Sequence, residues 1–512
     1  MTQLIVMATY MALLLGLGLV SNRLFRGTAK DYFLASHSIG PVMLLMSVFG
    51  TTMTAFALVG SSSEAYAKGI GVYGLMASSS GLIHAAVFFF IGIRLWAIGK
   101  RFGYLTQIQY FRARFESDAI GLLLFPILVG LVIPYLLAGL LGAGSVIGVL
   151  TRGAMPDVFP ETAGALPPSI TGLVISVVVL LYVFFGGLRG AAWANTAQTI
   201  VFMITGLFTF YLISSTLGGP AAATKAVLEA HPEKLMREGE FTQLHFLSYG
   251  FIPLSVGMFP HLFQHWLTAK SANTFKLTVV AHPLFIMIVW VPCVLIGIWA
   301  TAAMMPDGSG LVVPLKHAPN TELALMVSRL TTPLIAGVLG AGILAAIMSS
   351  LDSQFLSISS IFANDIVGHY MRKDAVDDKT LINLGRGFVI FVVAITYLFS
   401  LAEPRRVFTL GVWCFSGFSS LFPLVVAAVY WKRATKAGAI ASIVVTAVAW
   451  LALFRESGYG ADRDFLFLGA MPVMTIFFCS AAALVLVSLA TKPPSNATIQ
   501  KFFPDATAVA GD

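Results

Sequence analysis

Long apolar runs dominate the chain, and each ends in a short polar or basic stretch. Runs near the ~20 residues that span a hydrocarbon core as a helix fall near 4–20, 41–66, 71–98, 119–150, 168–186, 191–217, 246–264, 277–304, 332–361, 381–402, 407–431, 437–454 and 465–490. The pattern predicts an all-α polytopic membrane protein of about 13 transmembrane helices. The 246–264 run is the least regular, because Pro253, Pro260 and His261 interrupt it. The first run, Leu4 to Val20, has no basic leader and no small-residue cleavage site, so it is expected to persist as a span.

Composition supports the same class. The chain is 58% hydrophobic and 11% charged with a mean hydropathy of +0.88, whereas soluble domains carry roughly 25% charged residues. The formal charge of +8 does not point to nucleic acid, because the basic residues sit in short loops between apolar runs. There they set topology. Placing the N-terminus outside puts about 20 of the 31 basic residues on the cytoplasmic side, among them Arg94, Lys100, Arg101, Arg112, Arg114 and Arg189. The C-terminus is then cytoplasmic. Cys293, Cys414 and Cys479 lie inside apolar runs, which predicts core residues and no disulfide framework. Of the outward connections, 218–245 and 305–331 are the longest, and 218–245 reads as a solvated helix-turn segment. The tail after Lys492 is short and polar and is expected to be loosely ordered.

Two runs carry chemistry. Gly340 to Asp365, GAGILAAIMSSLDSQFLSISSIFAND, is apolar enough for a membrane helix yet holds Ser349, Ser350, Asp352, Ser353, Ser357, Ser359 and Ser360. Ala346 and Ser350 are four apart, with Ser349 beside them, so one helix side offers a carbonyl and two hydroxyls to an alkali cation. Small residues that merely let helices pack closely would read the same way. Asp352 favours the functional reading, since packing does not require a carboxylate in hydrocarbon. In Ser47 to Gly60, SVFGTTMTAFALVG, Gly50, Thr51, Thr52 and Thr54 weaken a helix. A break there would free the carbonyls of Gly50 and Met53 for a cation. On these residues alone, a continuous helix with threonines bonded back to their own carbonyls is favoured.

DYFLASHSIG (31–40), the threonine-rich second span ending in GSSSEAYAKGIG, FGGLRGAAWANTAQ (185–198) and AAIMSSLDS (345–353) together resemble the sodium/solute symporter family from about Asp31 to Tyr430. The resemblance implies a LeuT-type core of two inverted five-helix repeats, at about 41–217 and 246–431. Residues 1–40 would then form a first span and loop, and 432–512 two peripheral helices and a cytoplasmic tail. It implies a sodium site at Gly50, Met53, Ala346, Ser349 and Ser350, the oxygens already singled out by chemistry. It carries substrate contacts approximately onto Thr52, Ala57, Ser79, Pro260, His261, Phe263 and Trp413. The chain departs from the family pattern at Asn195, where an aspartate associated with sodium is common, and at His37 and His265, where arginine is usual. The neutral amide argues against a second sodium, and both histidines are expected to be ordinary cytoplasmic-face residues. His84, inside the third span, is either a satisfied interhelical hydrogen bond or a substrate anchor.

The expected function is a sodium-coupled symporter of the cytoplasmic (inner) membrane. Its partners would be sodium, the lipid bilayer and a small organic solute of the amino acid or monocarboxylate type, imported by alternating access. Rivals are a proton-coupled symporter using Asp352 or a histidine, and a sensor built on a transporter-like core. An enzyme is disfavoured, because the sequence offers no paired carboxylates, nucleophile-base set or metal-spaced His/Cys cluster.

Overall fold

Each apolar run becomes a helix or a bent helix pair among the residues the computed structural model describes, which are 1–21, 39–236, 241–371, 377–402 and 406–504. In chain order these are α1 (Thr2–Ser21), α2 (Pro41–Thr52), α3 (Phe56–Lys68), α4 (Gly71–Phe102), α5 (Gln107–Phe115), α6 (Asp118–Leu150), α7 (Pro168–Leu181) and α8 (Gly190–Thr216). There follow α9 (Pro220–Ala230), α10 (Gln243–Gly257), α11 (Pro260–Thr268), α12 (Ala272–Trp299), α13 (Glu322–Leu330) and α14 (Pro333–Tyr370). The last are α15 (Asp378–Ser400), α16 (Val407–Tyr430), α17 (Lys436–Glu456), α18 (Pro472–Ala490) and α19 (Asn496–Phe502). Among the described residues, 9 unbroken helices are long and apolar enough to cross a membrane, and α2–α3 and α10–α11 bring the count to 11 if each bent pair is one span. The apolar helices α1 and α7 occupy the two remaining predicted runs. His37, most of the 31–40 motif, and the basic residues Arg23, Arg26, Lys30, Arg372 and Lys373 lie outside the described residues.

Burial separates core from periphery. The apolar windows of α14 and α16 are 83% buried within the protein, against 28–44% for the other unbroken spans. An acid and a run of hydroxyls are costly against lipid. Residues 339–361 of α14 are accordingly buried without interruption. Between α7 and α8 the chain kinks at Gly187, whose φ of 55° lies in the left-handed region that glycine enters without a Cβ clash. Cys293 and Cys414 are buried as expected, and Cys414 donates to Leu131 O at 3.1 Å. Cys479 departs from expectation: it is exposed on the outer face of α18.

The described part of the tail, up to residue 504, is more ordered than its polar composition predicts. Ser495 caps α19 by accepting from Thr498 N at 3.2 Å, and Glu116 accepts from Ser495 Oγ at 2.6 Å and from the Thr498 hydroxyl. Phe502 packs on Phe102 and Tyr110 with ring centroids 5.7 and 5.9 Å away. A capped turn with one aromatic anchor is enough to dock a short helix on α4 and α5.

On the opposite side of the bundle, the 305–331 connection is tied to the end of the second span. His317 Nε2 lies 3.0 Å from Glu322 Oε1, which also accepts from Ser63 Oγ at 3.0 Å, while His317 Nδ1 meets Pro314 O at 2.8 Å. The Glu322 hydrogen bond holds the His317 pKa above the ordinary histidine value of 6.5, against the opposing effect of partial burial. A folded-state pKa above the unfolded one contributes stability that is fully present below the unfolded value and is lost as pH rises through the raised one. His317→Gln should therefore lower Tm more at about pH 5.5 than at about pH 8.5. Equal losses at both pH values would show that the imidazolium contributes nothing there.

Candidate functional site

The second span is broken, contrary to the continuous helix that its residues alone favour. Thr52 Oγ1 does bond back to Phe49 O at 2.8 Å, but Met53 takes extended torsions (φ −87°, ψ 93°) and helix α2 stops. Thr54 starts the next segment, its hydroxyl accepting from Phe56 N at 3.1 Å. The two halves bend by 57°. The break removes the helical partner that residue 54 would have given Gly50 O, and the Met53 carbonyl leaves the helical ladder. A second break lies between α10 and α11, bent by 49°. Phe259 precedes Pro260 and is extended (φ −63°, ψ 121°), as the residue before proline is driven to be.

Ser349 fills the gap at the first break. Its Oγ lies 2.7 Å from Gly50 O and 2.9 Å from Ala346 O, so three of the five predicted oxygens meet in a fully buried place. Ser350, next along α14, donates to Ile347 O at 2.9 Å and is equally buried. Close approach depends on Gly50 having no side chain. A Cβ there would collide with the Thr199 hydroxyl of α8, which donates to Met46 O at 3.0 Å, and would sit 3.7 Å from Ser349 Oγ.

One turn further along α14 is a second group of buried polar residues. Asp352 and Ser353 face Asn195 of α8 and His265 of α11. With its amide turned to match its acceptors, Asn195 donates to the two Asp352 carboxylate oxygens at 2.9 and 3.1 Å and to Ser349 O at 3.1 Å, and accepts from Ser353 Oγ at 2.8 Å. His265 Nε2 lies 3.1 Å from Ser353 Oγ. His265 is thus no ordinary cytoplasmic-face residue; it is 1% exposed and bonded into the core. The carboxylate absent from position 195 is present across the interface at 352. The cluster keeps one acid and one amide on facing helices.

A cavity opens beside the first break, lined by Thr52, Ser80, His84, Tyr135, Trp290 and Phe415 among others. Thr52 joins it to the break, and its Oγ1 also lies 3.3 Å from His282 Nε2. Of the carried-over substrate positions, Thr52 alone lines this cavity. Ser79 is half-buried at the start of a helical turn, and its neighbour Ser80 faces inward. Ala57 is buried in the π-helical stretch, its carbonyl accepting from Ser61 Oγ at 2.6 Å. His261 stacks on Phe259 with centroids 5.0 Å apart, and Phe263 is buried in α11. Trp413 lines a separate cavity with Glu64, Lys68 and Phe465, where Lys68 pairs with Asp464 and Glu64. Ser80, Tyr135 and Trp290 were missed. Ser80 had a signal, since it is four residues before His84 and shares its helix face.

Sequence comparison fixes the family. The Sodium:solute symporter family profile matches residues 32–446, most of the chain. The chain belongs to that family. It is therefore a sodium-coupled solute symporter and a multi-pass membrane protein, a transporter and not an enzyme. Curated relatives in this family include the sodium/proline symporter of Escherichia coli (strain K12), 26% identical over 98% of this chain and 96% of its own. The sodium/pantothenate symporter of the same organism is 24% identical over 89% of each chain. A solved structure of a Na⁺-coupled sialic acid symporter, in a substrate-bound outward-open state, matches with a TM-score of 0.76 at 19% identity and covers 97% of this chain and 99% of its own. That likeness is one of fold, the LeuT-type arrangement implied by the motifs.

Proposed function

We propose that this symporter imports a small organic solute of the amino acid or monocarboxylate type across the cytoplasmic membrane, with sodium held by the carbonyls of Gly50, Met53 and Ala346 and the hydroxyls of Ser349 and Ser350. The observation that carries this reading is the meeting of Ser349 Oγ with Gly50 O and Ala346 O, at 2.7 and 2.9 Å, where α2 breaks. A hydroxyl has one hydrogen and two lone pairs. Ser349 donates to Gly50 O without the ion, and keeps its hydrogen on Ala346 O while presenting a lone pair to sodium.

The two inverted repeats are assigned to about 41–217 and 246–431, so that the breaks at Met53 and Phe259 interrupt equivalent spans and flank one cavity. The distribution of basic residues supports an outside N-terminus and a cytoplasmic C-terminus. The relatives named for proline and pantothenate support a small solute. Sodium bound at the break stabilises the outward-open state, and its release to the cytoplasm loosens the solute site; each ligand changes the other's affinity by the same factor. Solute uptake into proteoliposomes should require sodium outside and cease when choline replaces it. Undiminished uptake in choline contradicts the reading.

A further inference from the structure

We propose that the central cavity recognises a carboxylate, and that its occupant is a small monocarboxylate whose remaining body is apolar and carries no ammonium group. The inference rests on the sodium-symporter reading of the same cavity and narrows its solute.

The cavity has two unlike faces. On one, Ser80 and His84 project from the same side of α4, and Trp290 comes from α12, which packs close enough that a Cβ at Gly81 would lie 2.9 Å from Pro283 Cα. The His84 and His282 rings are 5.3 Å apart across that contact. Ser80, His84 and Trp290 are 1%, 7% and 5% exposed, yet Ser80 Oγ, His84 Nδ1 and Trp290 Nε1 find no hydrogen-bond partner among the described residues. Buried polar atoms are normally paired, and three unpaired ones on one cavity wall point to an occupant. Trp290 Nε1 can only donate, the Ser80 hydroxyl donates, and His84 donates in the tautomer protonated on Nδ1. The matching ligand group is an acceptor with several lone pairs, which a carboxylate supplies.

On the other face, the rings of Phe56, Tyr135, Phe259 and Phe415 pack together with centroids 4.9 to 5.6 Å apart. They offer an apolar wall to the rest of the solute. None of the described residues lining the cavity is Asp, Glu, Lys or Arg. A primary ammonium would therefore meet no carboxylate. The carboxylate would meet no fixed cation, so its countercharge must be mobile. Sodium bound at Gly50, two residues from Thr52 on the cavity wall, supplies that charge and links solute binding to sodium.

Thermal unfolding of the purified full-length chain tests this, with cyclopentanecarboxylate, cyclopentanecarboxamide and L-proline each added in sodium chloride or in choline chloride. The carboxylate should raise Tm in sodium only, and the carboxamide, of the same shape but without the charge, should leave it unchanged. Ser80→Ala and Trp290→Phe should each raise the carboxylate concentration for a half-maximal shift by about tenfold, the effect of losing one hydrogen bond to a charged group. Both variants should keep the Tm rise caused by sodium alone, which shows that they are folded. An equal response to the carboxamide, a response to L-proline without one to the carboxylate, or no response to the carboxylate overturns the inference. If sodium alone still stabilises the chain in that event, the sodium reading stands; if sodium and choline act alike, the sodium reading falls as well.

Discussion

Replacing Ser349 with alanine is expected to raise the sodium concentration for half-maximal uptake by about tenfold to a hundredfold, while leaving the amount of protein inserted in the membrane unchanged. The estimate follows from losing one interaction with a charged partner, about 1.5–3 kcal/mol. The hydroxyl that lies beside both Gly50 O and Ala346 O can no longer ligate the ion. Ser350→Ala should act in the same direction but more weakly, because the Ser350 hydroxyl is turned to Ile347 O. Sodium-dependence curves for the two single variants check the order. A Ser349→Ala curve superimposable on wild type would remove the site from α14.

Gly50→Ala should lower uptake at least about tenfold, by a different route. The added methyl would occupy the space of the Thr199 hydroxyl. Thr199 cannot easily turn away, because its β-branched side chain is stiff and its Oγ1 is bonded to Met46 O at 3.0 Å. Helix α8 would have to move from α2, at a cost of about 1–3 kcal/mol for overpacking. That shift also carries Asn195 away from Asp352. Combining Gly50→Ala with Thr199→Ala should restore most of the uptake, because the second change removes the colliding oxygen. Failure of the double variant to recover would mean that Gly50 is needed for its backbone freedom and not for the close approach.

How far the site could be read in advance differs residue by residue. Ser349, Ser350 and Asp352 were visible because hydroxyls and an acid inside an apolar run are costly unless they serve a purpose. The break at Met53 is not legible in its own residues, since a threonine run by itself favours back-bonding in a continuous helix. The structure contains both, with Thr52 bonded back to Phe49 and Thr54 starting the next segment. The roles of Asn195 and His265 depend on Ser353, 158 and 88 residues away. No local pattern reports such a contact.

The carried-over substrate positions differ from the lining of the cavity beside the first break partly by register. On a helix at 3.6 residues per turn, one step rotates a side chain by about 100°, which is enough to exchange Ser79 for Ser80. Trp413 shares α16 with Phe415 but faces the Lys68–Asp464 pair and the connection between α17 and α18. The positions of the apolar helices, by contrast, are legible in the sequence, because span length is imposed by the bilayer and not by tertiary partners, although 9 to 11 of the 13 runs are long and apolar enough to span among the described residues.

Equilibrium binding of radiolabelled sodium to the purified chain, with no solute present, is the most direct test of the cation site between the broken second span and α14. Wild type should retain the label in competition with choline, and Ser349→Ala should lose most of it at the same sodium concentration. Equal retention by the two proteins would contradict the site.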